Sequence, residues 1–369
     1  MDIYDVYRPI FLLCRALGLA PMRMRRAQST GRWELRFSAL AYTYSVGLVA
    51  LTIPLMLAGV VDDFQSMHSK RKNIRIKNTT SAVVTFVDVL SMGLTAATVV
   101  LHSARQSGRL GRLLEKAAAV ERYLGPGRLP RRLAQCITCG TLAHMLLLLA
   151  YDAWCWQALT GHDHFLPNYY PLYVQHILVA AFELHFVVVS WCLHSNFLHL
   201  NQQLAALQAR VTRPLPHLPL VPPSFRQRVA DCHNSAYKGR SDPRRLSDLH
   251  AELCEAVQLS NSAWGTPLLA DVLRILLHLT ITPYFFLVDL LYGSQDPRFL
   301  VLQALWTLTH ACKLVLIVQP CSATHAEARR TGYLVSKLLN QKMEPNTKKQ
   351  VAHMVHHTFS HNYKTTAQY

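Results

Sequence analysis

PLYVQHILVAAFELHFVVVSWCLHSNFLHL, residues Pro171 to Leu200, carries a single acidic side chain, Glu183, and no lysine or arginine. At 1.5 Å per residue a helix of this length more than crosses the roughly 30 Å hydrocarbon core of a bilayer. Five further windows read the same way: Phe37 to Val60, Ser81 to His102, Leu133 to Trp156, Ala263 to Tyr292 and Phe299 to Pro320. The expected fold is therefore all-α, a polytopic transmembrane helical bundle with six spans. The 171–200 and 263–292 windows exceed what a bilayer needs, so their inner ends are expected to continue as helix past the lipid, with tilt absorbing part of the excess.

The rest of the composition fits this reading. Of 369 residues 51% are hydrophobic and 16% charged, yet the formal net charge is +17. A soluble basic chain that binds nucleic acid is hydrophilic throughout, whereas here mean hydropathy is positive, at +0.13, and a nucleic-acid partner is disfavoured. In a membrane protein, Lys and Arg collect in the loops beside anionic lipid on the inner side. With the N-terminus inside, thirty of the 38 Lys and Arg fall in inner segments and six in outer ones, while Arg274 and Lys313 lie within spans toward their inner halves. The expected layout is a cytoplasmic N-terminal segment 1–36, a six-span bundle 37–320 and a cytoplasmic segment 321–369. Within the bundle, Pro214, Pro216, Pro219, Pro222, Pro223 and Pro243 break any helix and mark 211–243 as a flexible inner insert. The apolar stretch Pro9 to Pro21 contains Arg15 and is too short to cross. None of the nine cysteines lies in an outer loop, so no extracellular disulfide framework is expected. Asn78-Thr79-Thr80 is a glycosylation sequon in the first outer loop.

Acidic residues inside a bilayer are costly and are candidates for function. Asp88, Asp152, Glu183 and Asp289 lie in spans, and Asp88, Asp152 and Asp289 fall in the outer half of this topology. Gln303, Trp306 and His310 share one helical face with Thr309 beside them; Thr282, Phe285, Asp289 and Tyr292 form a similar stripe, flanked by Tyr284 and Phe286; Asp152 and Trp156 are four residues apart. Carboxylates and an amide suit the vicinal hydroxyls of a sugar, and aromatic faces suit its apolar side. The bland alternative is helix-packing polar contacts and interfacial aromatics. His353, His356 and His357, with His194 and His199, suggest a diiron box but lack a third histidine motif; Cys136 and Cys139 have no second pair for zinc. No phosphate loop, nucleophile elbow or zincin helix is present. No enzymatic activity, cofactor or metal is expected, and the lack of an internal repeat gives a transporter little support.

The sequence resembles the insect gustatory receptors, in particular the branch that responds to fructose. The resemblance rests on Asp5-Val-Tyr-Arg-Pro9 running into Ala16-Leu-Gly-Leu-Ala-Pro21, on Val87-Asp88-Val89, and on Asp152 with Trp156. It is clearest from Pro283-Tyr-Phe-Phe-Leu-Val-Asp-Leu-Leu291 through Gln303, Trp306, His310, Leu314 and Val318-Gln-Pro-Cys321 to Glu327-Ala-Arg-Arg330. It implies a multi-pass plasma-membrane protein, a homo- or heterotetrameric ligand-gated cation channel in which each subunit, embedded in membrane lipid, binds a tastant in an outer pocket among its second to sixth spans. It also implies that the long inner ends of the fourth to sixth spans anchor neighbouring subunits. By the same resemblance Gln303, Trp306 and Thr309 are the sugar-binding positions, with Tyr284 and Asp289 contributing; the polar faces above add His310, Asp152, Trp156 and Asp88. The ligand is a sugar such as fructose, or alternatively a bitter compound. The resemblance further implies a seventh, pore-lining span ending in Thr-Tyr, apolar residues and Gln-Phe. After His356-His-Thr-Phe-Ser360 the sequence holds no further apolar window, so six spans with both termini inside are expected, and a pocket without a pore lining. An N-terminal epitope tag should be reached by antibody only in permeabilised cells; staining of intact cells would reverse the topology and favour a G-protein-coupled architecture.

Overall fold

The fourth apolar window forms the axis of the molecule. The computed structural model describes residues 3–26, 33–68, 79–125, 131–160, 165–212, 243–292 and 297–340. Its elements are α1 (Ile3–Ala16), β1 (Met22–Arg26), β2 (Trp33–Phe37), α2 (Ala39–His68), α3 (Thr79–Leu124), α4 (Arg131–Thr160), α5 (Phe165–Thr212), α6 (Pro243–Tyr292) and α7 (Pro297–Leu339). Helices α2 to α7 are each long and apolar enough to span a membrane. In α5, 89% of the apolar window is buried inside the protein, against 28–44% in the other five. The peripheral helices turn large side chains outward instead, among them Leu51 on α2, Leu94 on α3, Leu147 on α4 and Leu269 on α6. Lipid accepts such surfaces as readily as protein does, so an apolar run does not reveal which helix is central.

Four helices continue well past the apolar windows. The extensions were expected for α5 and α6 from the length of their windows and for α7, which runs 43 residues, from the family resemblance; one also occurs in α3, which runs 46. There they build a second apolar core from Val120 and Leu124 of α3, Leu200 and Leu204 of α5, Leu246, Leu249 and Leu253 of α6, and Val335 and Leu338 of α7. Around it run polar clamps: Lys116 Nζ lies 2.7 Å from Glu255 Oε2, Arg109 donates to the Ser262 carbonyl at 2.6 Å, and Asn201 donates to Glu327 Oε2 at 2.7 Å.

The N-terminal segment is part of this body. One face of α1, with Tyr7, Ile10, Phe11 and Cys14, is almost fully buried; Tyr7 Oη hydrogen-bonds His185 Nε2 at 2.5 Å and the Cys14 thiol donates to the Ala181 carbonyl. Both partners lie halfway along the apolar stretch of α5, so α1 inserts into the side of the bundle. Just past its end, Gly18 takes a φ of +76°, which side chains disfavour, and a Cβ there would sit a tight 3.2 Å from Ser45 Cα; the Tyr44 hydroxyl donates to the Ala16 carbonyl at 3.0 Å. An antiparallel hairpin follows, pairing Met22 with Phe37 through Arg26 with Trp33, with Leu35 against Gly111 of α3. Among the described residues the all-α expectation therefore holds apart from the ten in these two strands, and α2 begins at Ala39, after Phe37 has ended a strand. The proline-rich insert, apart from its first two residues and Pro243, and the His353–His357 motif lie outside the described residues.

At the centre of the bundle four charged side chains meet, none more than 4% exposed. Arg274 of α6 lies 2.7 Å from Asp271 on its own helix and 3.0 Å from Glu183 of α5; Lys313 of α7 lies 3.0 Å from the other oxygen of Glu183. Two cations thus face two anions, and the three helices are tied at one depth. Asp271, which the sequence reading passes over, completes the balance. Removing one partner from such a buried set leaves an uncompensated charge and costs about 3–5 kcal/mol. Glu183→Gln should therefore lower the thermal unfolding midpoint of detergent-purified protein far more than a change at exposed Leu269; an unchanged midpoint would refute the tie.

A candidate ligand pocket

Above this charge cluster, toward the bundle end opposite the hairpin, five helices enclose a cavity of about 120 Å³. Each contributes from a definite register: α3 gives Thr85 and Asp88, α4 gives Asp152 and Trp156, and α5 gives Leu172, Tyr173 and His176. The C-terminal part of α6 gives His278, Ile281, Thr282 and Phe285, and the first half of α7 gives Phe299, Gln303, Trp306 and His310. The i, i+3, i+4, i+7 spacings on α6 and α7 set those side chains on one face of each helix.

Asp152 organises one wall. The Tyr173 hydroxyl donates to its Oδ2 at 2.6 Å and Trp306 Nε1 donates to its Oδ1 at 3.0 Å. The carboxylate therefore fixes the phenol of α5 and the indole of α7, and presents only its remaining lone pairs to the cavity. The indole lies between two imidazoles: His176 at 4.9 Å between ring centroids and His310 at 5.5 Å. His310 in turn stacks on His278 at 4.2 Å and 9°, and His278 comes back to within 6.4 Å of His176, so the four rings form a closed cluster joining α5, α6 and α7. His278 Nε2 lies 3.1 Å from Asp88 Oδ1, which joins the cluster to α3. Trp156 meets Phe299 edge to face at 5.6 Å and closes the apolar side. His310 Nδ1 is buried without a hydrogen-bond partner among the described residues.

Of the nine residues singled out from the sequence, the structure gathers Asp88, Asp152, Trp156, Gln303, Trp306 and His310 around this cavity. Thr309, Tyr284 and Asp289 do not line it. The Thr309 hydroxyl donates to the Leu305 carbonyl and so accepts from His144 Nε2 of α4 at 3.0 Å, a helix-packing contact. Tyr284 is 43% exposed at the periphery, its ring against Phe285, and Asp289 is buried elsewhere. The residues missed are chiefly Tyr173, His176 and His278. The signal available for them was polarity in the same half of the bundle as Asp152: His176 and His278 interrupt apolar runs, as Asp88 does.

This arrangement defines a class of protein, a multi-pass helical bundle with a polar cavity among its spans. The chain belongs to the family of 7tm chemosensory receptors, the insect gustatory receptor family, whose model matches residues 7–358. It is similar to the Drosophila melanogaster protein named gustatory receptor for sugar taste 43a, with 23% identity over 378 aligned positions that cover 94% of this chain and 87% of that protein.

Since Asp152 accepts from two donors, Asp152→Asn turns an amide N–H toward one of them. A buried donor facing a donor costs about 2 kcal/mol, so the unfolding midpoint should fall even without ligand; an unchanged midpoint would mean the carboxylate does not hold the wall.

Proposed function

We propose that this protein is a gustatory receptor subunit that detects a small sugar such as fructose in the five-helix cavity, working in the plasma membrane as part of a tetrameric ligand-gated cation channel. The observation that carries the reading is the cavity itself: two carboxylates, an amide, three imidazoles and aromatic rings around a space of about 120 Å³. An apolar cavity of about 150 Å³ takes up one six-membered hydrocarbon ring, so a space of about 120 Å³ admits only a small ligand, and a monosaccharide, with about twice the non-hydrogen atoms of that ring, enters as the helices part to receive it. Its polar lining suits a polyol, with Gln303, Asp88 and His310 nearest in chemistry to hydroxyl recognition and Trp156 and Phe299 offering apolar area. The similarity to a Drosophila receptor named for sugar taste supports the same ligand class. A bitter or other tastant is the alternative within the family; the small size and polarity of the space favour the sugar. The Lys and Arg bias supports an orientation with the pocket end outside, where tastants arrive.

Ligand binding changes the state of the receptor only if one packing of the helices binds better than another. His278 and His310 line the cavity, while Arg274 and Lys313 lie about one turn below them on α6 and α7. A ligand that presses on either ring of this stacked pair therefore acts on the same two helices that the charge cluster ties to α5, and the long extensions of α6 and α7 carry the shift away from the pocket.

Trp306→Ala or Gln303→Ala should abolish the sugar-evoked response of cells that respond through this chain, and should remove the rise in unfolding midpoint that sugar gives the purified protein, with surface labelling unchanged. A dose response equal to that of the parent would overturn the pocket assignment.

A further inference from the structure

A second and larger hollow, about 420 Å³, lies between α5, α6 and α7 on the hairpin side of the charge cluster. Its floor is apolar: Phe186, Leu193 and Phe197 from one face of α5, Val257 from α6 and Ala328 from α7. Its rim is basic. His325 and Arg329, four residues apart on α7, are both exposed at the mouth, and neither makes an ion pair among the described residues, whereas the neighbouring Glu327 is turned toward Asn201 and Arg330. Among the described residues none that lines the hollow is acidic.

Its depth is set by the spans. The apolar window of α7 ends at Pro320, and the α7 side of the hollow runs from Cys321 to Arg329, about 12 Å at helical rise. On α5 it reaches back to Phe186, inside the apolar stretch, and on α6 it occupies Cys254 to Asn261, just before the apolar window opens. It therefore straddles the level at which hydrocarbon gives way to headgroups, with apolar side chains on the hydrocarbon side and Arg329 beside His325 on the headgroup side.

We propose that this hollow is a binding site for an anionic membrane phospholipid, with an acyl chain against Phe186, Leu193 and Phe197 and the phosphate at Arg329 and His325. Charge complementarity selects an anionic headgroup, and the apolar floor separates a lipid from a free phosphate ion. Bound lipid would wedge α6 and α7 apart on the side of the charge cluster away from the ligand cavity, so lipid composition would set the resting packing of the helices that line that cavity.

The test uses the full chain in nanodiscs of phosphatidylcholine alone or with phosphatidylserine, reading the unfolding midpoint and the lipid retained on native mass spectrometry. Phosphatidylserine should raise the midpoint saturably and be retained. The double change His325→Ala, Arg329→Ala should weaken this effect about tenfold while leaving the midpoint in phosphatidylcholine unchanged, because both side chains are exposed. Ala328→Phe, which fills the floor, should remove the effect by a different route, and inorganic phosphate alone should do nothing. Equal stabilisation by phosphatidylcholine, full retention of the effect in the double variant, or a full shift with phosphate would each overturn the proposal. So would a hollow already covered by protein, seen as no lipid effect together with Cys321 unreactive toward maleimide, or as a dimer on light scattering that the double variant dissociates.

Discussion

Charge inside a bilayer has no water to turn to, and the bundle is organised around how it meets that constraint. Arg274 and Lys313 can be carried at mid-depth only because Glu183 and Asp271 face them within about 3 Å. The required geometry fixes three things together: the rotation of α6 that points Arg274 inward, the rotation of α7 that points Lys313 inward, and the central position of α5, which offers both oxygens of Glu183. Apolar packing alone would leave these rotations loosely specified, since a leucine faces lipid or protein at similar cost.

The five-helix cavity inherits its shape from that arrangement. With α6 and α7 rotated to place Arg274 and Lys313, the residues one turn on, His278 and His310, must also point inward, where they stack at 4.2 Å. Trp306 follows at the next turn of α7 and is held by Asp152. The polar cavity is thus continuous with the charge cluster through two successive turns of the same helices. On the opposite side of the cluster the same helices diverge around the second hollow before closing again on the apolar core of their extensions.

The N-terminus shows how tertiary context recruits a segment that the bilayer itself does not require. Helix α1 is too short and too charged to cross, yet its apolar face is buried against α5 because Tyr7 finds His185 and Cys14 finds the Ala181 carbonyl. The hairpin after it was written in the sequence: Met22 and Met24 alternate with arginines, and Trp33, Leu35 and Phe37 with Glu34 and Arg36, the period of a strand. Reading the segment only by total hydrophobicity hides that alternation.

What the sequence determined by itself was the number and approximate place of the spans, the helical class, and most of the side chains around the cavity. Each follows from local composition: twenty apolar residues in a row are costly anywhere but in a bilayer or a core, and a carboxylate among them is conspicuous. Only the tertiary structure decided that α5 is central, that Asp271 completes the balance of charge, that Asp152 serves Tyr173 and Trp306, and that Thr309 and Tyr284 face away while His176 and His278 face in. Those outcomes depend on the rotation of each helix about its axis. In a uniformly apolar helix that rotation leaves almost no periodic trace in the sequence, and it is set by the few polar partners that must meet across helices distant along the chain.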